Sequence, residues 1–130
     1  NTIGRQLSRM VNTKVISTKS PWMSDAKAGE IYTVPISHGE GRFIASPQQV
    51  LEFNKTGQIA TQYVDFDGIA SMDSRFNPNQ SVAAIEGIYS PDGRVFGKMA
   101  HSERCGAGIS KNIPGLLEMP IFTSGVKYFK

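Results

Sequence analysis

One short segment of the sequence places an imidazole and a carboxylate two residues apart, in His101-Ser102-Glu103. The apolar-rich run from Arg94 to His101 that leads into it predicts a strand. Residues two apart on a strand share one face, so His101 and Glu103 are expected to project together. A carboxylate beside an imidazole fixes its tautomer and stabilises its protonated form, which would make His101 a general base. On residue types alone, a solvated hairpin rim is the more common explanation of such a pair.

A second polar segment, Ser37-His38-Gly39-Glu40-Gly41, follows a predicted strand from Glu30 to Ser37. Its two glycines let the backbone approach a ligand closely and expose N–H groups that can bind a carboxylate. The carboxylate of Glu40 can bind an ammonium group, so the segment suits an amino acid. The residue types alone favour a simpler interpretation, in which the glycines serve only the turn after the strand.

The other elements form the framework that must position these two segments. Two more strands are predicted, at Val11 to Ser17 and at Gln58 to Val64. Ser46-Pro47 is typical of a helix start, and Gly57 is typical of the left-handed residue that ends a helix. The polar stretch from Asp65 to Gln80 predicts a long loop.

A hairpin is the clearest local prediction. The runs Val82 to Tyr89 and Arg94 to His101 are separated by Ser90-Pro91-Asp92-Gly93, in which Pro presets φ and Gly accepts a positive φ. Ile121 to Phe129 carries apolar residues near helical spacing and predicts a closing helix. The whole pattern indicates a strand-rich α/β fold with a β-hairpin and few helices, as expected for the second half of a larger α/β domain.

Composition argues against several classes of function. The net charge is only +3, from 14 basic and 11 acidic residues scattered along the chain, so nucleic-acid binding is not expected. No run of about 18 apolar residues is present, so no membrane span is expected. The single cysteine, Cys105, allows no internal disulfide, which favours a reducing, cytoplasmic location. Only His38, His101 and scattered carboxylates could ligate a metal, so no metal site is expected.

Several segments, taken in order, resemble the glutaminase domain of formylglycinamidine ribonucleotide synthases. They are Val34 to Phe43, Asn77 to Ser81, Ile85 to Ile88, Asp92 to Gly97 and Met99 to Arg104. The two ends, Asn1 to Arg5 and Gly125 to Phe129, also resemble the large single-chain form of this enzyme. The order and the spacing fit the family, and the resemblance covers nearly the whole chain.

The resemblance implies the C-terminal portion of a class I, triad-type glutamine amidotransferase domain with a flavodoxin-like α/β fold. In that family a Cys on a nucleophile elbow attacks the glutamine side-chain amide, and a His acts as base while a Glu orients it. The matching positions are His101 for the base and Glu103 for its partner. The positions at the glutamine site are Ser37, His38, Gly39 and Glu40, with Asn77 and Asn79 as secondary candidates near that site or its interdomain face.

The family also implies partners and cofactors outside these residues. Ammonia released from glutamine travels to an upstream synthase domain of the same polypeptide. There ATP and Mg²⁺ activate the formamide oxygen of formylglycinamide ribonucleotide, which ammonia displaces in a step of purine biosynthesis. The partners implied are therefore glutamine and the synthase domain, and no cofactor is expected within residues 1–130.

Three departures from the family pattern qualify these expectations. The elbow motif, Gly-x-Cys-Asn-Gly-x-Gln, is absent and is expected upstream of residue 1. Residues 1–130 are therefore expected to be a partial domain, inactive by itself and prone to self-association through exposed sheet edges. Ser102 stands where many members have Pro, and Gln80 stands where Gly is common.

Cys105 does not replace the missing nucleophile. It lies four residues after His101 in a Gly-rich loop, not between a strand and a helix, so an ordinary free thiol is expected. Two other functions remain open. One is a non-catalytic binding module with an amidotransferase-like half fold, and the other is a hydrolase that uses His101 and Glu103 on its own or with a metal.

Overall fold

One antiparallel sheet organises the molecule, in a computed structural model that describes all 130 residues. The strands are β1 (Leu7–Val15), β2 (Ile31–His38), β3 (Ile59–Tyr63), β4 (Ile85–Tyr89) and β5 (Phe96–Lys98), in the spatial order β2-β1-β3-β4-β5. The helices are α1 (Pro47–Lys55) and α2 (Ile121–Tyr128), with short 3₁₀ turns at Pro21–Met23 and Val82–Ala84. The predicted strand-rich α/β fold with a β-hairpin and few helices is confirmed.

The core lies against one face of β1 and β2. Buried and partly exposed residues alternate along both strands, as the period of two requires. Val11 pairs with Val34 across the two strands, and both side chains are buried. Val34 and Ile36 have no exposed surface, and full burial of such a side chain is worth about 1.5–3 kcal/mol. Strand β1 begins at Leu7 rather than at the predicted Val11, because pairing with β2 continues to the Leu7–His38 partners.

The predicted hairpin is present, although both of its strands are shorter than predicted. Strands β4 and β5 pair antiparallel, and Gly93 turns the chain with a φ of +75°. Strand β4 starts at Ile85 rather than Val82, because Ala83 and Ala84 have left-handed backbone conformations. Strand β5 ends at Lys98, so the prediction that His101 lies on a strand was wrong. Beyond Lys98, the backbone is held by the Glu86 side chain of β4.

Helix α1 follows the predicted signals closely. Ser46 caps it through a capping box with Gln49, and Gly57 lies just beyond its end with a φ of +69°. No residue of α1 is buried, and Leu51 is 70% exposed. Its packing is limited to half-buried residues such as Phe53, whose ring centroid lies 6.2 Å from that of Phe43, so the capping box carries much of its local stability.

The sheet is curved so that the chain after β5 returns to the outer edge of β2. The His101 N–H donates to the Pro35 carbonyl at 2.8 Å, and the Thr33 N–H donates to the Leu116 carbonyl at 2.8 Å. These bonds cover backbone groups that an edge strand would otherwise leave open. They also place the His101 segment beside the end of β2.

Helix α2 packs on the 3₁₀ turn that contains the only tryptophan, Trp22. The indole ring lies directly over Gly125, leaving no room there for a side chain, and its centroid is 5.7 Å from that of Phe129. The indole N–H donates to the Arg94 carbonyl at 2.7 Å, which ties the turn to the hairpin. Neither α1 nor α2 combines the length and the apolar character needed to cross a bilayer.

Candidate active site

His101 and Glu103 are in direct contact. The His101 Nδ1 lies 2.6 Å from Glu103 Oε1, and the two side chains are 30% and 53% exposed. The contact arises in a tight turn, closed by the Arg104 N–H on the His101 carbonyl at 3.2 Å, and not from strand alternation. A carboxylate on Nδ1 favours the tautomer whose other nitrogen, Nε2, has a free lone pair. That is the arrangement a general base requires.

The pKa of the Glu103 carboxyl lies below its usual range. Desolvation raises it, but the hydrogen bond from its own backbone N–H, the contact with His101 and the charge of Arg104 together outweigh that effect. The carboxylate therefore stays ionised at neutral pH, as a partner that stabilises a protonated imidazole must.

A buried glutamate holds the backbone that leads to His101. Glu86 lies in β4, and its Oε1 accepts the N–H groups of Met99 at 3.1 Å and Ala100 at 2.7 Å. The Lys98 ammonium lies 3.1 Å from the same oxygen. The Met99 N–H also donates to the Glu86 backbone carbonyl at 3.0 Å, whereas the Ala100 N–H donates to the Glu86 side chain in place of a backbone carbonyl. Sequence reasoning did not assign Glu86 a role; the signal available was a charged residue between the apolar Ile85 and Ile88 of a predicted strand.

The second predicted segment lies at the end of β2, next to the His101 turn. Both ring nitrogens of His38 are buried and have no hydrogen-bond partner in the chain. Desolvation lowers the pKa of His38, with a smaller contribution from His101, so the neutral ring is favoured. Since buried polar atoms are usually partnered, this ring is a candidate for contact with a polar ligand.

The other residues of that segment differ in their surroundings. The Ser37 hydroxyl accepts a hydrogen bond from the Gln6 amide at 3.2 Å, whereas Glu40 is exposed. Gly41 lies against the His38 ring so closely that an added Cβ would come within 2.6–2.7 Å of three ring atoms. The position of the His38 ring therefore depends on the absence of a side chain at residue 41.

Asn77 and Asn79 are fully buried, and their hydrogen bonds stay within the chain. The Asn77 amide binds both backbone groups of Ser81, and the Asn79 amide donates to the Tyr63 hydroxyl at 2.9 Å. The Ser81 hydroxyl accepts the Phe43 N–H at 3.0 Å. The two asparagines thus support the segment after Gly41 through the loop that they hold, rather than by presenting their own side chains.

Gln80 and Ser102, which depart from the family pattern, and the single cysteine, Cys105, each have defined surroundings. Gln80 has a φ of 59°, a region where a side chain costs about 1–2 kcal/mol and glycine costs little. Ser102 is buried, with its hydroxyl 3.8 Å from the Met119 sulfur. The Cys105 thiol is half-buried and donates to the Ser102 carbonyl at 3.3 Å.

His101 and Glu103 line a cleft of about 580 Å³ between β5 and α2, which Trp22 and Phe122 also line. The His38 segment does not line this cleft, although it lies next to the His101 turn. A second cleft, of about 790 Å³, lies on the outer face of β1 and β2 and contains none of the predicted site residues. No group of three or more His, Cys, Asp or Glu side chains in the chain could hold a metal ion.

An imidazole in contact with a carboxylate, on a strand-rich α/β fold, matches two features expected of a triad-type amidotransferase, and comparison with known proteins identifies the family. The chain belongs to the CobB/CobQ-like glutamine amidotransferase domain family, whose model matches residues 1–129. Within that family it is similar to phosphoribosylformylglycinamidine synthase subunit PurQ from several organisms. The resemblance to the glutaminase domain of this synthase is therefore confirmed.

Three of these relatives illustrate the similarity. The protein from Thermomicrobium roseum is 40% identical over 91 residues, which are 70% of this chain and 38% of that protein. The protein from Aquifex aeolicus is 31% identical over 87% of this chain and 49% of its own length. The protein from Methanosarcina barkeri is 33% identical over 90% of this chain and 48% of its own length. The chain thus spans at most about half the length of these relatives.

The fold also matches a solved structure. A chain in the structure of PurLQS from Thermotoga maritima superposes with a TM-score of 0.70 and 25% sequence identity. The match covers 100% of this chain and 51% of that chain. The fold class predicted from the sequence, the strand-rich α/β fold of a glutamine amidotransferase, is confirmed.

Proposed function

We propose that the chain is part of a glutaminase that supplies ammonia to phosphoribosylformylglycinamidine synthesis. The observation that carries the proposal is the 2.6 Å contact between His101 Nδ1 and Glu103 Oε1, in a chain of the glutamine amidotransferase family. The pair lines a cleft, from which a nucleophile can reach the imidazole.

The chemistry assigned to the pair is proton transfer. A cysteine thiol, contributed by a part of the domain outside these 130 residues, gives its proton to His101 and attacks the side-chain amide carbon of glutamine. His101 then returns the proton to the departing nitrogen, ammonia leaves, and a thioester remains. Water, deprotonated by His101, hydrolyses the thioester to glutamate and restores the thiol. Glu103 stabilises the imidazolium formed in each step.

The glutamine site is proposed at the end of β2, at Ser37, His38, Gly39 and Glu40. The unpartnered nitrogens of His38 support this placement, because a neutral imidazole offers one donor and one acceptor to a polar ligand. The exposed carboxylate of Glu40 suits the ammonium group of an amino acid.

Ammonia is proposed to pass to a synthase domain of the same polypeptide, which uses ATP to convert formylglycinamide ribonucleotide to the amidine. The similarity to a chain of PurLQS supports an assembly of glutaminase and synthase parts. The proposal assigns Mg²⁺ and ATP to the synthase part, as the family resemblance implies.

The test is ammonia release from glutamine by the full-length polypeptide that carries this chain. Ammonia should form with glutamine, and the amidine product should form when formylglycinamide ribonucleotide and ATP are added. Asparagine, one methylene shorter, is the control substrate and should release much less. If no ammonia forms even with all substrates present, the chain is instead part of a non-catalytic binding module.

Replacing Gly41 by alanine should raise the KM for glutamine about tenfold, equivalent to about 1.4 kcal/mol of lost binding. The added Cβ would come within 2.6–2.7 Å of the His38 ring and must displace it. Steady-state kinetics of the full-length protein measure the effect. The matched comparison is the same change in a His38→Ala background, where Gly41→Ala should add nothing. Two independent, additive losses would contradict a role through His38.

A further inference from the structure

Glu86 is a carboxylate placed where an apolar strand residue would be expected. It is the second residue of β4, and its side chain has no exposed surface. Four donors surround it. Oε1 accepts the N–H groups of Met99 and Ala100 and contacts the Lys98 ammonium, whereas Oε2 accepts the Thr61 hydroxyl.

Glu86 and Lys98 together form hydrogen bonds to both polar backbone groups of Ala100. The Ala100 N–H donates to Glu86 Oε1 at 2.7 Å, and the Ala100 carbonyl accepts from Lys98 Nζ at 3.0 Å. The next N–H, that of His101, donates to Pro35 at 2.8 Å. The backbone that carries the imidazole is therefore attached to β4 on one side and to β2 on the other.

Stability alone does not account for this ion pair. Lys98 is only 11% exposed and Glu86 not at all, so both charges lose hydration on folding. Such a loss commonly offsets the attraction between the two charges, and apolar residues of similar volume are often as stable. Apolar side chains could not, however, bind the N–H and the carbonyl of Ala100. The ion pair provides geometry that a packed apolar pair cannot.

We propose that Glu86 and Lys98 are positioning residues for glutamine hydrolysis, which hold His101 at the orientation needed to contact Glu103 and the substrate. The kinetic effect expected of these two residues rests on the proposed glutaminase function. Neither residue touches the reacting atoms. They act through the backbone of Met99 and Ala100, where a displacement of about 1 Å at a catalytic group can cost about 100-fold in rate.

The kinetic test is Glu86→Gln in the full-length polypeptide. Glutamine has the same shape but no charge, so it weakens the hold on Lys98 and on both N–H groups. The kcat for glutamine hydrolysis should fall about 10–100-fold, while the KM stays within about twofold of wild type. Lys98→Met keeps the aliphatic part of the side chain and should also lower kcat. It is the alternative variant for this test if Glu86→Gln does not fold. Glu52→Gln, the same change on the exposed face of α1, should leave both constants unchanged.

Amide hydrogen exchange separates the structural claim from the catalytic one. Exchange at Ala100 and His101 should be faster in Glu86→Gln than in wild type, and unchanged in Glu52→Gln. If wild type hydrolyses glutamine and folded Glu86→Gln keeps the wild-type kcat, the positioning role is overturned. If wild type releases no ammonia, the proposed function fails instead. Even in that case, equal exchange at Ala100 in Glu86→Gln and in wild type would show that Glu86 does not hold the backbone next to His101.

Discussion

Replacing His101 by alanine in the full-length polypeptide is expected to lower glutamine hydrolysis by about three orders of magnitude or more. Of the two side chains in contact with Glu103, the imidazole of His101 can act as a base, whereas the guanidinium of Arg104 has no free lone pair to accept a proton. Without the imidazole, neither the thiol nor the hydrolytic water has a base. Ammonia release measures the loss, and circular dichroism checks that the fold is retained.

The partner of the imidazole provides the matched comparison. Glu103→Gln keeps the shape of the side chain but removes the charge that stabilises the imidazolium, so a loss of about 10²–10⁴-fold is expected. Glu52→Gln makes the same change on exposed α1, away from the site, and should have no effect. Wild-type rates in both His101→Ala and Glu103→Gln would rule out the pair as the source of acid–base chemistry.

Gly87→Ala is expected to lower the free energy of unfolding by about 3 kcal/mol, at the upper end for overpacking a buried site. Gly87 is buried in β4 between β3 and β5. A Cβ there would meet the Thr61 hydroxyl at 2.5 Å and the Phe96 ring at 2.9 Å. Thr61 is buried and hydrogen-bonded to Glu86, so it cannot move aside freely. Urea denaturation of the amidotransferase domain measures the change.

Gly97 is the matched control, because it pairs with Ile88 in the same hairpin but has open space where a Cβ would lie. Gly97→Ala should raise the free energy of unfolding by about 0.5–1 kcal/mol, since alanine loses less conformational freedom on folding. Equal effects of the two substitutions would show that strand propensity, and not packing around Gly87, decides the outcome.

The parts of the fold that could be predicted from sequence are those determined by local chemistry. Ser46 and Gly57 bound α1 as their capping preferences require, and Pro91 to Gly93 turn the hairpin. The proximity of His101 and Glu103 was predicted for the wrong reason. Their spacing brings them together in a turn, whereas the prediction relied on a strand that ends at Lys98.

The parts that could not be predicted depend on residues distant in the chain. Asn77 and Asn79 lie in a polar stretch that predicts a long loop, and their complete burial was not predicted, because it depends on Tyr63 and Ser81 satisfying their amides. Glu86 interrupts an apolar strand, and only the folded chain brings Ala100 to its carboxylate. A single sequence does not show which buried polar groups find hydrogen-bond partners. Burial of each group is favourable only when its partner is present.

Trp22 is a natural fluorescent probe of the cleft that His101 lines. The indole lines that cleft, packs on Gly125 of α2 and donates to the Arg94 carbonyl at 2.7 Å. Its emission therefore depends on how closely α2 is docked and on how much water reaches the cleft. No other residue among these 130 emits in the tryptophan range. A change in the packing of α2 or in the access of water to the cleft would therefore alter the fluorescence of these residues without an attached dye.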